Sequence, residues 1–218
     1  MEITIIKEYG VVHLSGAFTL GEQEELFNAV KGHVRGVGDA PGIFHASSGQ
    51  QGSAHRVESL HNLGELLFSR CAEALVESIE GGGITADEIQ NEPALRRLSD
   101  AVSGKNPPNV NNVTGASYKR GAKMNNHSDL NRPLYTMSVA VGDTCDFTVG
   151  KPTARPYKNE RSGKPVTISM QSGDSIYFDG GSVPHEVARL EPDTGPLFFK
   201  KGAPRDIARI SILFREPC

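Results

Sequence analysis

The sequence predicts an α+β domain, because helix-like patterns fill its first half and short strand-like segments fill its second half. Its 218 residues are enough to bury one good-sized core. A hydrophobic fraction of 37% and a charged fraction of 22% are typical of a globular chain. We therefore expect a single domain over residues 1–218, whose C-terminal half is a β-sandwich or jelly roll.

The N-terminal half begins with strand-like alternation and then takes on helical periodicity. Apolar alternation predicts strands near Ile3–Ile6 and Val11–Leu14, and a helical stripe follows over Leu20–Val34. A longer helix is expected over Val57–Ile79, where three glycines end it. Between the helices, residues 36–53 are rich in Gly, Ser and Gln and indicate a loop or a hairpin.

Further along, a capping box predicts a helix start, and short strands follow. Thr85 and Glu88 have the spacing at which each side chain satisfies a free amide of the other's backbone. A short helix is expected from Pro93 to Gly104. The segments that then resemble strands are 110–118, 134–141, 145–149, 166–171, 174–178 and 208–215.

Three features of the sequence bear on location. No apolar run approaches the roughly 18–20 residues that a membrane-spanning helix needs. The N-terminus lacks the basic and apolar regions of a secretory signal, and the three cysteines are widely separated and odd in number. We therefore expect an intracellular protein, cytoplasmic or nuclear, that acts as a monomer without a membrane partner.

The net charge of −3 conceals an asymmetry between the two halves. Residues 1–104 hold 7 basic and 15 acidic residues, whereas residues 105–218 hold 16 basic and 11 acidic residues. Much of the basic excess lies in residues 151–165 and 200–205. These stretches are either solvated loops or surfaces that approach a polyanion.

One set of residues has the composition of a metal site. His127 and Asp129 form the one HxD motif of the chain, and His185 follows 58 residues later, after a predicted strand and a Gly-Gly turn. Near the C-terminus, period-two alternation puts Arg209 and Arg215 on one face of a strand. Two arginines on the inner face of an apolar strand are costly unless an anion meets them.

This combination predicts an iron-dependent oxygenase. Two imidazoles and one carboxylate occupy one face of octahedral Fe(II) and leave positions for a bidentate co-substrate and O₂. A small dicarboxylate matches the paired guanidinium groups, and 2-oxoglutarate is the obvious candidate. The alternative is an HxD motif on the surface and arginines that face solvent.

Three segments resemble those of AlkB-type Fe(II)/2-oxoglutarate-dependent dioxygenases. Tyr118–Asp129 is similar to the family's tyrosine, Gly-Ala-Lys turn and HxD motif, with the same spacing. Gln171–Phe178, followed by Pro184-His185, resembles the strand that leads to the distal histidine. Arg209–Arg215 is similar to the closing RxNxTxR signature. The resemblance implies a double-stranded β-helix (jelly-roll) core over residues 109–218, with N-terminal helices packed on one sheet.

The resemblance also implies roles for individual residues. The iron ligands would be His127, Asp129 and His185. Tyr118 and Arg209 would hold the distal carboxylate of 2-oxoglutarate, while Arg215 would bond near its keto-acid end and brace Asp129. Ser211 lies between the two arginines in the closing signature and is expected to line the co-substrate site.

The chain departs from the family pattern at four positions. The family's Asn before the tyrosine is Ala116 here, and Ser211 and Leu213 replace the signature's Asn and Thr. These changes remove polar partners around the co-substrate. An acidic residue of the best-known members is Asn131 here, which can hydrogen-bond a base edge but cannot pair with a cationic, ring-alkylated base.

AlkB-like members mostly act on alkylated bases of DNA or RNA, which must be flipped or single-stranded to react. The resemblance therefore implies a nucleic-acid N-demethylase with a substrate-recognition loop over residues 36–57. The chain has no Trp, so other rings would stack on the base, and basic side chains would contact phosphates. The candidates are Tyr135, Phe44, His45 and His55 for stacking, and Lys158 and Arg161 for phosphate; each ring is equally compatible with a core or surface position.

Two other functions remain open at this point. One is a 2-oxoglutarate oxygenase that hydroxylates or demethylates a protein or a small molecule. The other is a catalytically inactive binding module, which is disfavoured because every expected iron ligand is present.

Overall fold

The computed structural model describes residues 2–34, 41–45, 54–106, 110, 112–129, 134–150, 164–204 and 206–217. The described chain contains five α-helices: α1 (Leu20–Val30), α2 (Ala54–Glu80), α3 (Ala86–Asn91), α4 (Pro93–Val102) and α5 (Leu197–Gly202). The strands are β1 (Glu2–Ile6), β2 (Val11–Ser15), β3 (Gly42–His45), β4 (Asn112–Lys119), β5 (Met124–His127), β6 (Leu134–Gly142), β7 (Cys145–Val149), β8 (Val166–Met170), β9 (Ser175–Asp179), β10 (His185–Leu190) and β11 (Ile207–Pro217). No described helix is long and apolar enough to cross a membrane.

The strands form two antiparallel sheets. A seven-stranded sheet has the order β1-β2-β9-β6-β11-β4-β3, and a four-stranded sheet has the order β5-β10-β7-β8. The α+β jelly-roll fold expected from the sequence is thereby confirmed. The large sheet also includes β1, β2 and β3, so it draws strands from outside the expected core range of residues 109–218.

The helices pack on the outer face of the large sheet. α1, α2 and α4 contribute Leu26, Leu67 and Leu95 to a continuous buried core with strands of that sheet. β11 lies inside the sheet, between β6 and β4, and its Ile210 and Phe214 belong to this same core. The prediction that N-terminal helices cover one sheet is therefore confirmed.

A second core fills the space between the two sheets. It joins apolar residues of the large sheet, such as Ala140 and Phe178, to Phe147, Ile168 and Val187 of the small sheet. Because side chains alternate along a strand, β11 serves both layers: one face enters the helix-covered core and the other faces the space between the sheets.

Most of the elements expected from the sequence are present, including the capping box of Thr85 and Glu88 at the start of α3. α2 begins at Ala54 and ends at Glu80, and α1 ends at Val30 rather than continuing to Val34. No strand is predicted from the sequence for β5 or β10. The reason is that β5 (MNNH) is polar, and β10 (HEVARL) breaks its alternation at a bulge between Val187 and Arg189.

Asp174 ties the β8–β9 turn to the N-terminal strands. Its carboxylate accepts the backbone N–H groups of Gly16 and Gln171, each at 2.8 Å, and lies 3.3 Å from His13 Nε2. Burial alone would raise the pKa of Asp174, but the bonds from His13, Gly16 and Gln171 outweigh burial and lower it. The carboxylate is 2% exposed and stays ionised in the folded protein.

We expect Asp174→Asn to lower the free energy of unfolding by about 2–3 kcal/mol, because charge-assisted bonds to buried amides are weakened. The depressed pKa stabilises the fold above the unfolded value of about 3.9, and this contribution is lost as pH falls below that value. Urea unfolding at pH 7 and near pH 3 measures both effects. The difference between wild type and variant should shrink at the lower pH. The exposed Asp87→Asn is the control, and an equal loss in both variants would contradict the account.

Candidate functional site

A cavity of about 100 Å³ opens between the two sheets. The inward face of β11 forms one wall through Arg209, Ser211, Leu213 and Arg215. Apolar side chains of both sheets form much of the rest, and they include Ala116, Met124, Phe147, Met170, Phe178 and Val187. The prediction that Arg209 and Arg215 share one strand face is therefore confirmed.

Three potential metal ligands converge on this cavity. His127 ends β5 and His185 begins β10, and the antiparallel register places them directly opposite each other. Their ring centroids are 4.4 Å apart. Asp129 follows β5, and its backbone N–H donates a hydrogen bond to the Gly180 carbonyl at 2.8 Å. One ligand atom from each of the three residues lies within 4.8 Å of the others.

Backbone carbonyls set the tautomers of both histidines. His127 Nδ1 lies 2.8 Å from the Asn125 carbonyl, and His185 Nδ1 lies 2.9 Å from the Val183 carbonyl. Because a carbonyl oxygen only accepts, each Nδ1 carries a hydrogen, and in the neutral ring each Nε2 keeps its lone pair. This is the arrangement by which proteins orient imidazole ligands for a metal.

The charge states also suit metal binding. Burial lowers the pKa of His185 to about 4, which keeps this ring neutral at physiological pH. Burial raises the pKa of Asp129, but the nearby His127, His185 and Arg215 outweigh burial and bring it to about 2. Burial likewise lowers the pKa of His127, but the contacts of the ring with Asp129 and with the Asn125 carbonyl together outweigh burial, so the net shift is upward. The cluster therefore presents one carboxylate beside two imidazoles.

Arg215 braces the carboxylate of this cluster. Its Nη2 donates to Asp129 Oδ2 at 2.9 Å, and its Nη1 donates to the Thr114 hydroxyl at 3.0 Å. Asp129 Oδ1 lies 3.5 Å from His127 Nε2 on the other side. The contact between Arg215 and Asp129 is the one that the resemblance implies.

Arg209 occupies the buried end of the cavity. Its side chain is 1% exposed, and its Nη1 donates to the carbonyls of Asp143 at 2.7 Å and Met170 at 3.2 Å. Tyr118 lies opposite Arg209 in the β4–β11 register. Burial raises the pKa of Tyr118 despite the opposing effect of Arg209, so its hydroxyl stays protonated and can donate. Ser211, next on the same strand face, interacts with the Tyr118 hydroxyl.

The guanidinium groups leave room for an anion. Within the described residues, the buried Nε atoms of Arg209 and Arg215 have no hydrogen-bond partner. An unpaired buried N–H is costly, and a carboxylate bound in the cavity would satisfy it. The site thus fits both a divalent metal, at the three-residue cluster, and a small dicarboxylate between the two arginines.

Three of the four departures from the family pattern, Ala116, Ser211 and Leu213, lie in the wall of the same cavity. Ala116 and Ser211 face each other across the β4–β11 pair, and Leu213 faces Thr114. All four side chains line the cavity. Because Ala116 and Leu213 are apolar, they offer no hydrogen bond to a bound molecule, and the polar groups of this wall lie around the two arginines.

The structure corrects one substrate prediction. Tyr135 was expected to stack on a base, but its ring belongs to the helix-covered core, where it stacks on Tyr177 with ring centroids 6.2 Å apart. The Tyr135 hydroxyl lies 3.5 Å from the Pro93 carbonyl. The ring does not line the described cavity, because Tyr135 is on the outward-facing register of β6 whereas Thr136 faces inward.

The other substrate candidates lie at the limits of the described structure. The backbones of Phe44 and His45 belong to β3, and that of His55 belongs to α2, but their side chains are outside the described residues. The register pairs His45 with Thr114, which lines the cavity. Asn131, Lys158 and Arg161, with most of the expected recognition loop over residues 36–57, also lie outside the described residues.

Several residues of the site were not identified from the sequence. Ile43 lines the cavity yet is 59% exposed, which places it at the opening. Thr114 was detectable as the inward neighbour of Ala116 and Tyr118 in the alternation of β4. The sequence indicates only a turn at Gly180. A Cβ there would lie 2.8 Å from Asp129 Oδ2 and 2.9 Å from Thr136 Oγ1, so the glycine leaves space for both side chains.

Sequence comparison agrees with this architecture. The family model of the 2OG-Fe(II) oxygenase superfamily matches residues 10–215. The chain belongs to this superfamily, whose members are oxidoreductases that use Fe(II), 2-oxoglutarate and O₂. A search of curated proteins finds no match to the sequence.

Solved structures of several enzymes share the fold. OsALKBH1 is 16% identical, with a TM-score of 0.60, over 99% of this chain and 100% of its own. The epimerase SnoN, in complex with Fe³⁺, alpha ketoglutarate and nogalamycin RO, is 15% identical, with a TM-score of 0.51, over 95% of this chain and 80% of its own. A Pseudomonas putida prolyl-4-hydroxylase is 13% identical, with a TM-score of 0.50, over 96% of this chain and 94% of its own. At these identities the likeness shows the fold alone.

We expect Gly180→Ala to weaken divalent-metal binding about 10–100-fold, because its Cβ would displace the carboxylate of Asp129. Calorimetric titration with Mn(II) measures the change. Gly32→Ala is the matched control, since nothing lies within 4 Å of a Cβ at that position. Equal metal affinity in both variants would show that the space beside Asp129 does not matter.

Proposed function

We propose that this oxygenase oxidatively removes N-alkyl groups, chiefly methyl, from nucleic-acid bases. The observation that carries the proposal is the convergence of His127, Asp129 and His185 beside two arginines whose buried Nε atoms have no partner among the described residues. In the proposed site these three residues hold Fe(II). Tyr118, Arg209, Ser211 and Arg215 hold 2-oxoglutarate.

Each arginine has a distinct role in this site. Arg209 lies at the buried end, where its Nε and the Tyr118 hydroxyl can both donate to the distal carboxylate. Arg215 lies beside Asp129, where its Nε can donate to the keto-acid end. The spacing of the two residues along β11 therefore sets the direction in which the co-substrate lies.

The protein contributes to the reaction by orienting the substrate and by keeping water away from the reacting groups. When bound, Fe(II) and 2-oxoglutarate supply the oxidation of a substrate C–H bond by O₂, with conversion of 2-oxoglutarate to succinate and CO₂. The apolar walls of Met124, Phe147 and Val187 exclude water from the space beside the ligands. A hydroxylated N-methyl group then separates as formaldehyde and leaves the free amine.

Three observations support a nucleic-acid substrate. The motifs around Tyr118, His127 and Arg209 resemble those of AlkB-type enzymes, and OsALKBH1 shares the fold. The C-terminal half carries the basic excess of the chain. We propose that residues 151–165 and 200–205, with Lys158 and Arg161 among them, contact phosphates of a flipped or single-stranded substrate.

Cysteine chemistry supports an intracellular location, which we propose to be cytoplasmic or nuclear. Cys71 and Cys145 are both buried free thiols. Burial raises the pKa of each thiol, so both resist oxidation. A monomer suffices for this site, because every proposed ligand comes from one chain.

A protein or small-molecule substrate is the second candidate, because SnoN and the prolyl-4-hydroxylase share the fold. Incubating the iron-loaded protein with a panel of methylated DNA and RNA oligonucleotides separates the two. We expect formaldehyde release from at least one oligonucleotide, and we expect His127→Ala to abolish both iron binding and 2-oxoglutarate turnover. Turnover of 2-oxoglutarate with every oligonucleotide left intact would transfer the proposal to the second candidate.

We also expect Ile43→Asp to uncouple the reaction. Ile43 lies at the cavity opening, where its apolar side chain can pack on a substrate base. Full burial of an isoleucine side chain by the bound base would stabilise the complex by about 1.5–3 kcal/mol. The ratio of formaldehyde released to succinate formed should fall about ten-fold. Leu197→Asp is the control, since Leu197 is 71% exposed and does not line the described cavity. An unchanged ratio for Ile43→Asp would remove Ile43 from the substrate path.

A further inference from the structure

One hydroxyl group connects the large sheet to the carboxylate of the metal-ligand cluster. Thr114 lies on β4 and is 3% exposed, and its Oγ1 accepts a hydrogen bond from Arg215 Nη1 at 3.0 Å. The same guanidinium donates through Nη2 to Asp129 Oδ2 at 2.9 Å. Thr114, Arg215 and Asp129 therefore form a continuous chain of hydrogen bonds that ends in the cavity.

A second hydroxyl lies near Arg215, because the register places Thr136 of β6 directly opposite it, but the Thr136 hydroxyl donates to the Leu134 carbonyl at 3.1 Å. The nearest inward neighbour of Arg215 on β11 is Leu213, which cannot accept a hydrogen bond, and Leu213 faces Thr114 across the strand pair. Arg215 Nε has no partner within the described residues. The guanidinium is thus fixed at two points, the Thr114 hydroxyl and the Asp129 carboxylate.

The position of Thr114 suits it to this function. A β-branched side chain is restricted at χ1, so its hydroxyl is held in a defined direction. β4 lies between β11 and β3 in the large sheet, and Thr114 pairs with Leu213 on one side and His45 on the other. The hydroxyl is therefore carried by a strand that is paired on both sides, and the acceptor cannot drift away from Arg215.

We propose that Thr114 is a positioning residue, whose hydroxyl fixes the guanidinium of Arg215 and, through it, the carboxylate of Asp129. The inference rests on the proposed assignment of Asp129 to the metal and of Arg215 to the co-substrate. Without the hydroxyl, Arg215 keeps one anchor and can rotate about its contact with Asp129. Metal binding and 2-oxoglutarate binding then weaken together.

The test compares substitutions that separate the hydroxyl from the shape of the side chain. Thr114→Val keeps the branched shape and removes the hydroxyl, whereas Thr114→Ser keeps the hydroxyl. Thr148→Val is the matched control, because Thr148 is also buried in a strand, bonds Thr167 at 3.0 Å and does not line the described cavity. Calorimetric titration with Mn(II), and then with 2-oxoglutarate on the Mn(II)-loaded protein, reads binding without any turnover.

We expect Thr114→Val to raise both dissociation constants about ten-fold, as for the loss of one hydrogen bond to a charged group. Thr114→Ser and Thr148→Val should stay within about two-fold of the wild type by the same reasoning. In steady-state assays with Fe(II), the KM for 2-oxoglutarate should rise more than kcat falls in Thr114→Val. Equal weakening in Thr114→Val and Thr114→Ser would overturn the proposal in favour of simple packing, and wild-type binding by Thr114→Val would overturn it outright.

If Thr114→Val does not fold, Thr114→Ala and Thr114→Ser decide the question in the same titrations. Weak binding by Thr114→Ala with normal binding by Thr114→Ser supports the proposal, and any equality between them contradicts it. No oligonucleotide takes part in these measurements. A failure of the demethylase proposal therefore leaves this result intact, and the two can be told apart.

Discussion

Two arginines on one face of β11, Arg209 buried and Arg215 partly buried, impose the main constraint on this molecule. A guanidinium group can stay out of water only where oxygen atoms meet its N–H groups. Arg209 meets two backbone carbonyls, whereas Arg215 meets a hydroxyl and the carboxylate of Asp129. Within the part of the chain that the structure describes, the Nε atoms of both residues lack a partner, and in the proposed site they bind the anionic co-substrate.

The fold holds this strand from its other face. Ile210, Ile212 and Phe214 anchor β11 in the core that the helices cover. At the end of the strand, Glu216 forms a buried two-point ion pair with Arg97 of α4, at 2.6 and 2.8 Å. Alternate residues of β11 point into the core and into the cavity. The packing of the helices on the first face therefore holds both arginines on the second face, toward His127, Asp129 and His185.

The sequence was sufficient to predict the jelly roll, the inward face of β11 and the convergence of His127, Asp129 and His185, because each depends on a regular period or a short motif. It was not sufficient for β5 and β10, whose polar or bulged segments lack alternation. It also assigned Tyr135 to the substrate side, since the face that a strand residue takes depends on register. The sequence does not predict the contact of Thr114, because its partner, Arg215, lies 101 residues away in the chain.

A crystal structure of the protein with Mn(II) and 2-oxoglutarate tests the central claim most directly. We expect the metal on His127 Nε2, Asp129 and His185 Nε2, with the distal carboxylate of 2-oxoglutarate at Arg209 Nε and its keto-acid end toward Arg215. The bond between Arg215 and Asp129 should persist in that complex. A metal bound away from these three residues, or a co-substrate that leaves both arginine Nε atoms unpaired, would contradict the account.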